Sequence, residues 1–205
     1  MSLFPIFVKL QGRLVVVVGG GEIAAGKIDG LLRAGAKVRV IAPEVHASFA
    51  EPIRSGKLEW VARKFQAGDV DGATLLIAAT SAPGVNAAVF REAEARGILC
   101  NAVDDIENCH FYYGSIVQRG DLQIAISTNG KSPALAQRLR LELEQQFGPE
   151  YEVWLEWLGA ARELLRAAES GGESSKKMLH HLASEPMYKR FLAQARKESS
   201  RQGVA

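Results

Sequence analysis

The chain has 205 residues, of which 47% are hydrophobic and 23% charged, with a net charge of +2. That length supports one sizeable core or a core domain with an appendage, and the balanced charge gives no global basic field for nucleic acid. Two cysteines, Cys100 and Cys109, are too few for a disulfide framework, the amino end has no basic segment followed by a long apolar one, and no apolar run approaches the roughly 20 residues that span a bilayer, so a cytoplasmic protein with no membrane role is expected.

Residues 14–18 (LVVVV) form a continuous β-branched run, the pattern of a strand buried on both faces. A helix follows over 24–34, with Ile23, Lys27, Leu31 and Ala34 at helical spacing and Gly35 as its stop. Further strands are expected at 37–41, 58–62, 74–79 and 98–103, with a helix over 85–96 before the last, which ends at Asp104. Strands alternating with helices imply a parallel sheet with right-handed crossovers, an α/β domain of the Rossmann type occupying residues 1–113. The pattern then changes. Residues 114–118 and 122–127 flank Arg119-Gly120-Asp121 as two short strands on a tight turn, and Ser132-Pro133 opens a helix whose Leu135, Leu139, Leu143 and Phe147 recur every four residues. A hairpin and one helix cannot bury themselves, so 114–149 is expected to be a small α+β dimerisation segment, packed on the first domain or on a second subunit. Gly148-Pro149 ends that helix. Residues 150–205 read as a helical domain interrupted by a loop at 169–177 (ESGGESSKK), with the last six residues fraying.

Gly19, Gly21 and Ala24 fit G-x-G-x-x-[GA] between a strand and a helix. Gly19 would make the turn, Gly21 would admit a pyrophosphate, and Ala24 would let the helix pack close, placing a dinucleotide diphosphate over Gly19, Gly21, Glu22 and Ile23. The alternative is a glycine-rich turn without a ligand. At the end of the second strand stand Pro43 and Glu44 with no arginine, which favours NAD over NADP, although Glu44 also reads as a solvated loop residue. Thr80, after the fourth strand, would lie along the same ligand edge. Ser127, Thr128, Asn129, Lys131 and Ser132 bring hydroxyls, an amide, a cation and a helix N-terminus within seven residues, an arrangement suited to anions and also to an ordinary capped helix start. Cys109-His110 and His180-His181 lack the spacing of a zinc site, and no resident metal is expected. The Trp154 and Trp157 pair reads as core, and Arg138 and Arg140 as interface or solvated residues.

The stretches LFPIFVKLQGRLVVVVGGGEIAAGKIDGLLRAGAKVRVIAP, LLIAATSAPGVNAAV, CNAVDD and IAISTNGKSPALAQRLR resemble precorrin-2 dehydrogenase, the module that forms the amino-terminal half of siroheme synthase in some bacteria. The resemblance implies a Rossmann domain binding NAD, a dimerisation segment, and a helical domain closing the active site. It implies NAD-dependent oxidation of precorrin-2 to sirohydrochlorin, followed in some members by insertion of ferrous iron as substrate. Aromatising a reduced tetrapyrrole needs hydride removal and loss of protons, and Asp104 matches the family's candidate for acid/base work. Asp105, next to it, is expected to be solvated. The substrate's acetate and propionate groups would be met by Ser127 to Ser132; family members can carry serine where Thr128 stands. Two other readings share the glycine turn: a non-catalytic NAD-binding regulatory module, and another small dehydrogenase, for which the expected Tyr-x-x-x-Lys is not present.

Overall fold

Strict alternation along the first strand sets the layers. In β1 (Leu14–Val18), Val15 and Val17 point to one face and Val16 and Val18 to the other, all of them essentially without solvent contact. In this computed structural model, which describes residues 3–168 and 172–202, both faces are covered. On the first, α1 (Glu22–Arg33) lays Ala24, Ile28 and Leu31 against Val15, Val17 and the buried valines of β2 (Lys37–Ile41). The buried stripe is thus offset from the expected one: Ile23 is 53% exposed and Lys27 only half-buried, because the helix begins at Glu22 and its sheet-facing side starts with Ala24. A short helix, α2 (Ala50–Arg54), not expected from the pattern, precedes β3 (Leu58–Val61). On the second face, Val89 and Ala93 of α3 (Pro83–Arg96) pack over β4 (Leu75–Ala78) and β5 (Leu99–Ala102).

All pairings in this five-stranded sheet are parallel and the order is β3-β2-β1-β4-β5. The chain runs outward from β1 to β3, returns, and continues from β4 on the other side. That reversal leaves a crevice at the carboxyl ends of β1 and β4, where sheets of this kind bind ligands.

Contacts divide the chain into two compact units, Met1–Tyr113 and Gly114–Ala205. In the second, β6 (Ser115–Arg119) and β7 (Leu122–Ile126) pair antiparallel through a two-residue turn that needs Gly120 at φ 54°. Four helices follow: α4 (Pro133–Gln146), α5 (Glu150–Ala167), α6 (Glu173–Leu182) and α7 (Glu185–Gln202). The loop expected over 169–177 is shorter: Gly172 caps α6, so 173–177 are helical, and 169–171 lie outside the described residues. The fraying expected of the last six residues falls partly on helix, which runs to Gln202, and partly on 203–205, outside the described residues. The leucine stripe of α4 is only partly covered. Ala136 is buried, Leu139 and Leu143 are half-buried, and Leu135 is 39% exposed, because a two-stranded hairpin is too narrow to cover the whole stripe. Trp154 is core, packed with Tyr151 and with Tyr188, whose hydroxyl donates to Glu150 at 2.7 Å; Trp157, expected as core, is 40% exposed. Arg138 and Arg140 pair along α4 with Glu142 and Glu144.

The carboxyl end of α4 is held by one side chain. Arg119 donates to the carbonyls of Phe147 at 2.8 Å and Glu144 at 3.1 Å, acceptors that a helix end leaves open, and to that of Gln118 in β6 at 2.8 Å. Arg119→Ala is expected to destabilise the second unit by about 2 kcal/mol, measured as a lower denaturant midpoint.

Candidate functional site

The turn after β1 is crowded on two sides and open on the third. Gly19 adopts φ +113°, and a Cβ there would stand 2.3 Å from the Ala79 carbonyl oxygen; at Gly20 it would stand 2.2 Å from that of Glu44. Only glycine fits either position. At Gly21 an added Cβ meets nothing within 4 Å. Gly21 is also the N-cap of α1 and offers no side chain to the helix's first N–H groups, which therefore face an open approach with the positive end of the helix dipole behind them. This donor set fits a dinucleotide's diphosphate. Glu22 and Ile23 are exposed in the first turn, and Ala24 is fully buried where the helix meets the sheet. The motif treated Gly20 as a free position, yet the structure makes it obligatory, since the loop after β2 closes on it and the His46 N–H donates to its carbonyl at 2.7 Å. The run of three glycines was the available signal.

Pro43 and Glu44 are exposed just beyond β2, where Trp60 from β3 donates to the Ala42 carbonyl at 2.9 Å. Arg39 in β2 pairs with Glu59 at 2.9 Å and Arg63, just after β3, with Asp69 at 2.6 Å, the latter pair holding the Asp69 carboxyl below its usual range chiefly through the Arg63 hydrogen bond. Beyond β4, Thr80 is locked by Asn86, which is 5% exposed. The Thr80 N–H and hydroxyl donate to Asn86 Oδ1 at 3.2 and 2.8 Å, and Asn86 Nδ2 donates to the Thr80 carbonyl at 3.1 Å. A buried amide satisfied by one loop residue fixes that loop rigidly. Asn86 was invisible in sequence, where asparagine inside a helix carries no pattern.

After β5 the chain doubles back. Asn101 and Cys109 form an antiparallel bridge, Asn101 Nδ2 donates to the Phe111 carbonyl at 2.9 Å, and the Cys109 thiol lies 3.0 Å from the Ala102 carbonyl. The Cys100 N–H donates to His110 Nδ1 at 3.0 Å while His110 Nε2 meets Glu94 at 2.5 Å, so both ring nitrogens are occupied by protein. Burial pushes the Cys100 thiol up to about 12 and the Cys109 thiol upward as well. Both cysteines are free, and among the described residues no group of three or more His, Cys, Asp and Glu could hold a metal ion.

Asp104 stands exposed at the tip of this hairpin with φ 61°. A left-handed backbone costs a residue with a Cβ about 1–2 kcal/mol, and aspartate tolerates it better than most. Asp105, expected to be solvated, is half-buried instead: its carboxylate accepts from Asn108 at 2.6 Å and its carbonyl lies 3.1 Å from the Cys109 sulfur, because it opens the short 3₁₀ turn that follows.

In the second unit, Asn129 at φ 55° and Gly130 at φ 74° bend the segment before α4. The Ser132 hydroxyl accepts from the Leu135 N–H, the Thr128 hydroxyl from the Ser132 N–H, and the Ser127 hydroxyl from the Asn129 N–H, each at 3.2 Å. Lys131 is exposed. His180 and His181 are exposed on α6.

A family model described as putative NAD(P)-binding matches residues 6–115, and one described as sirohaem biosynthesis protein central matches 119–146. A siroheme synthase of Photorhabdus laumondii is 48% identical over 70% of this chain and 31% of its own length. One from Neisseria meningitidis serogroup C is 36% identical over 98% of this chain and 43% of its own length. The chain thus spans about a third of the length of the first curated relatives it matches. Among solved structures, one named SirC, precorrin-2 dehydrogenase, superposes with a TM-score of 0.78 at 27% identity, covering 95% of this chain and all of the other.

Two substitutions separate the closed and open sides of the glycine turn. Gly21→Val is expected to keep wild-type thermal stability and to lose NAD affinity by at least about tenfold in a fluorescence titration. Gly20→Ala is expected to lower stability by about 2–3 kcal/mol through the clash with the Glu44 carbonyl.

Proposed function

We infer that this chain, which belongs to the precorrin-2 dehydrogenase and siroheme synthase family of NAD(P)-binding proteins, oxidises precorrin-2 to sirohydrochlorin with NAD. The observation that carries this reading is the open turn at Gly21 at the carboxyl end of the sheet, the same end at which β5 leads into an exposed, conformationally constrained Asp104. NAD, when bound, accepts a hydride from a carbon of the macrocycle. The protein's part is to hold and to move protons. Gly19, Gly21, Glu22 and Ile23 receive the diphosphate on the first turn of α1. Glu44 bonds the adenosine ribose hydroxyls beside Pro43, and an acidic residue with no arginine at the tip of β2 favours NAD over NADP. Thr80, fixed by Asn86, borders the cofactor on the β4 side. Asp104 takes a proton from the macrocycle as the hydride leaves.

The tetrapyrrole's carboxylates are assigned to the segment Ser127, Thr128, Asn129, Lys131 and Ser132. Since the hydroxyls of Ser127, Thr128 and Ser132 already accept backbone N–H groups, the Lys131 ammonium supplies the attraction and the hydroxyl protons remain free to donate. We assign residues 1–113 to the cofactor, 114–149 to dimerisation and 150–205 to the helical domain. The half-covered leucine stripe of α4 favours a homodimer. No helix among the described residues is long and apolar enough to cross a membrane, and the two free thiols favour the cytoplasm. A purely regulatory NAD module would need neither a strained carboxylate at the sheet edge nor a polar anion segment.

Anaerobic incubation with precorrin-2 is expected to yield sirohydrochlorin with NAD faster than with NADP; no turnover with either cofactor would refute the reading. Asp104→Asn keeps a residue that tolerates φ 61° and removes the charge, so it is expected to slow oxidation by about 10²-fold while NAD affinity stays at the wild-type level. The same variant decides iron insertion. If wild-type protein inserts ferrous iron above the uncatalysed rate, Asp104→Asn should lose that activity too, because two pyrrole protons then need a fixed acceptor. Light scattering at micromolar concentration should give the mass of a dimer.

A further inference from the structure

Asp104 is placed by backbone. The Asp105 N–H donates to the Ala102 carbonyl at 3.3 Å, closing a four-residue turn in which Asp104 is the third residue, at φ 61°. A positive φ at that position of a turn favours glycine or asparagine. Among the described residues the Asp104 carboxylate has no hydrogen-bond or ion-pair partner, whereas that of Asp105 accepts from Asn108 at 2.6 Å. Where the Asp104 carboxylate stands therefore depends on how firmly the two ends of this turn are held.

One side chain touches both ends. The half-buried Cys109 sulfur lies 3.0 Å from the carbonyl oxygen of Ala102, the first residue of the turn, and 3.1 Å from that of Asp105, the last. It is brought there by the antiparallel bridge of Asn101 with Cys109 and by the His110 N–H, which donates to the Cys100 carbonyl at 2.8 Å. From the side, Asn101 Nδ2 donates to the sulfur at 3.3 Å. Two carbonyl oxygens that converge on one point need a donor between them, and a thiol supplies one hydrogen for the pair to share. Burial pushes the Cys109 pKa upward, which keeps that hydrogen on sulfur at neutral pH.

We propose that Cys109 is the positioning residue for Asp104: its thiol, donating between the carbonyls at the two ends of the Ala102–Asp105 turn, holds the left-handed backbone that presents the carboxylate. This rests on the reading that Asp104 takes a proton from the tetrapyrrole. A base must stand within hydrogen-bond reach of the proton it removes, so a small displacement of the turn slows that step while the glycine turn after β1 is left untouched.

The test uses the full chain with Cys109→Val, Cys109→Ala, Cys109→Ser, Asp104→Asn and the double variant Cys109→Val/Asp104→Asn. Three quantities are read: kcat and KM for precorrin-2, and NAD affinity by fluorescence. Valine fills a similar volume without a donor, alanine omits the sulfur without adding a branch, and serine keeps a donor on a shorter arm. Cys109→Val is expected to lower kcat by about tenfold, with KM and NAD affinity within about twofold of wild type. Retained NAD affinity certifies that the variant is folded, and Cys109→Ala should show the same split where valine is not accommodated. Cys109→Ser should recover most of the loss. The double variant should be no slower than Asp104→Asn alone, since a residue that acts through another has no effect once that other is gone. Wild-type kcat in a folded Cys109→Val or Cys109→Ala beside an impaired Asp104→Asn overturns the Cys109 proposal alone. So does a Cys109→Ser as slow as Cys109→Val, a tenfold effect that persists in the double variant, or a loss of NAD affinity in every Cys109 variant. A full rate in Asp104→Asn overturns the acid/base reading of Asp104 and this proposal with it.

Discussion

Two backbone carbonyls, those of Ala79 and Glu44, close so tightly on the turn after β1 that neither Gly19 nor Gly20 can carry a side chain. The ends of three adjacent strands meet at that point: β1 supplies the turn, β4 leads into Ala79, and β2 into Glu44. Their mutual approach leaves α1 starting where its N–H groups face outward past Gly21, and it brings Ala24 flat against the sheet. A packing constraint inside the protein therefore creates the polarity of the site. The glycines that touch protein keep the strands together, and the one that touches nothing leaves room for the ligand.

The second structural commitment lies at the far edge. After β5 the chain returns along its own strand, pinned by bonds of Asn101 to Cys109 and the Phe111 carbonyl and of His110 to the Cys100 N–H and Glu94. The tip of that return must turn sharply, and Asp104 occupies the turn in a conformation that most side chains avoid. Strain of this kind persists only where surrounding contacts enforce it, which the bridge and the His110 bonds do here. The residues that look chemically reactive in sequence, Cys109 and His110, are thus scaffolding, and the carboxylate between them and the strand is what remains exposed.

Much of this was legible in the residues themselves. The LVVVV run marks a doubly covered strand because only a fully buried strand has no polar alternation, and the strand–glycine–helix order marks the turn that stands open at Gly21. What escaped was whatever depends on long-range closure. Gly20 is fixed by a loop more than twenty residues away, Asn86 by its hydrogen bonds to Thr80, and the contact of Lys27 with the Tyr113 ring by the fold-back after β5. The expected helical spacing ran through Ile23, Lys27, Leu31 and Ala34, whereas the helix, starting at Glu22, buries Ala24, Ile28 and Leu31. Asp105 is half-buried rather than solvated because strand alternation ends where the 3₁₀ turn begins, so its direction does not follow from that of Asp104.

The proposed oxidation requires that electrons leave a tetrapyrrole for a nicotinamide held at the Gly19–Gly21 turn. An anaerobic single-turnover experiment with excess protein, limiting precorrin-2 and NAD, counting both products by absorbance, tests it most directly. NADH and sirohydrochlorin are expected in equal amounts with matching rate constants. Sirohydrochlorin formed at the same rate without NAD, or NAD bound with no NADH produced, would contradict it.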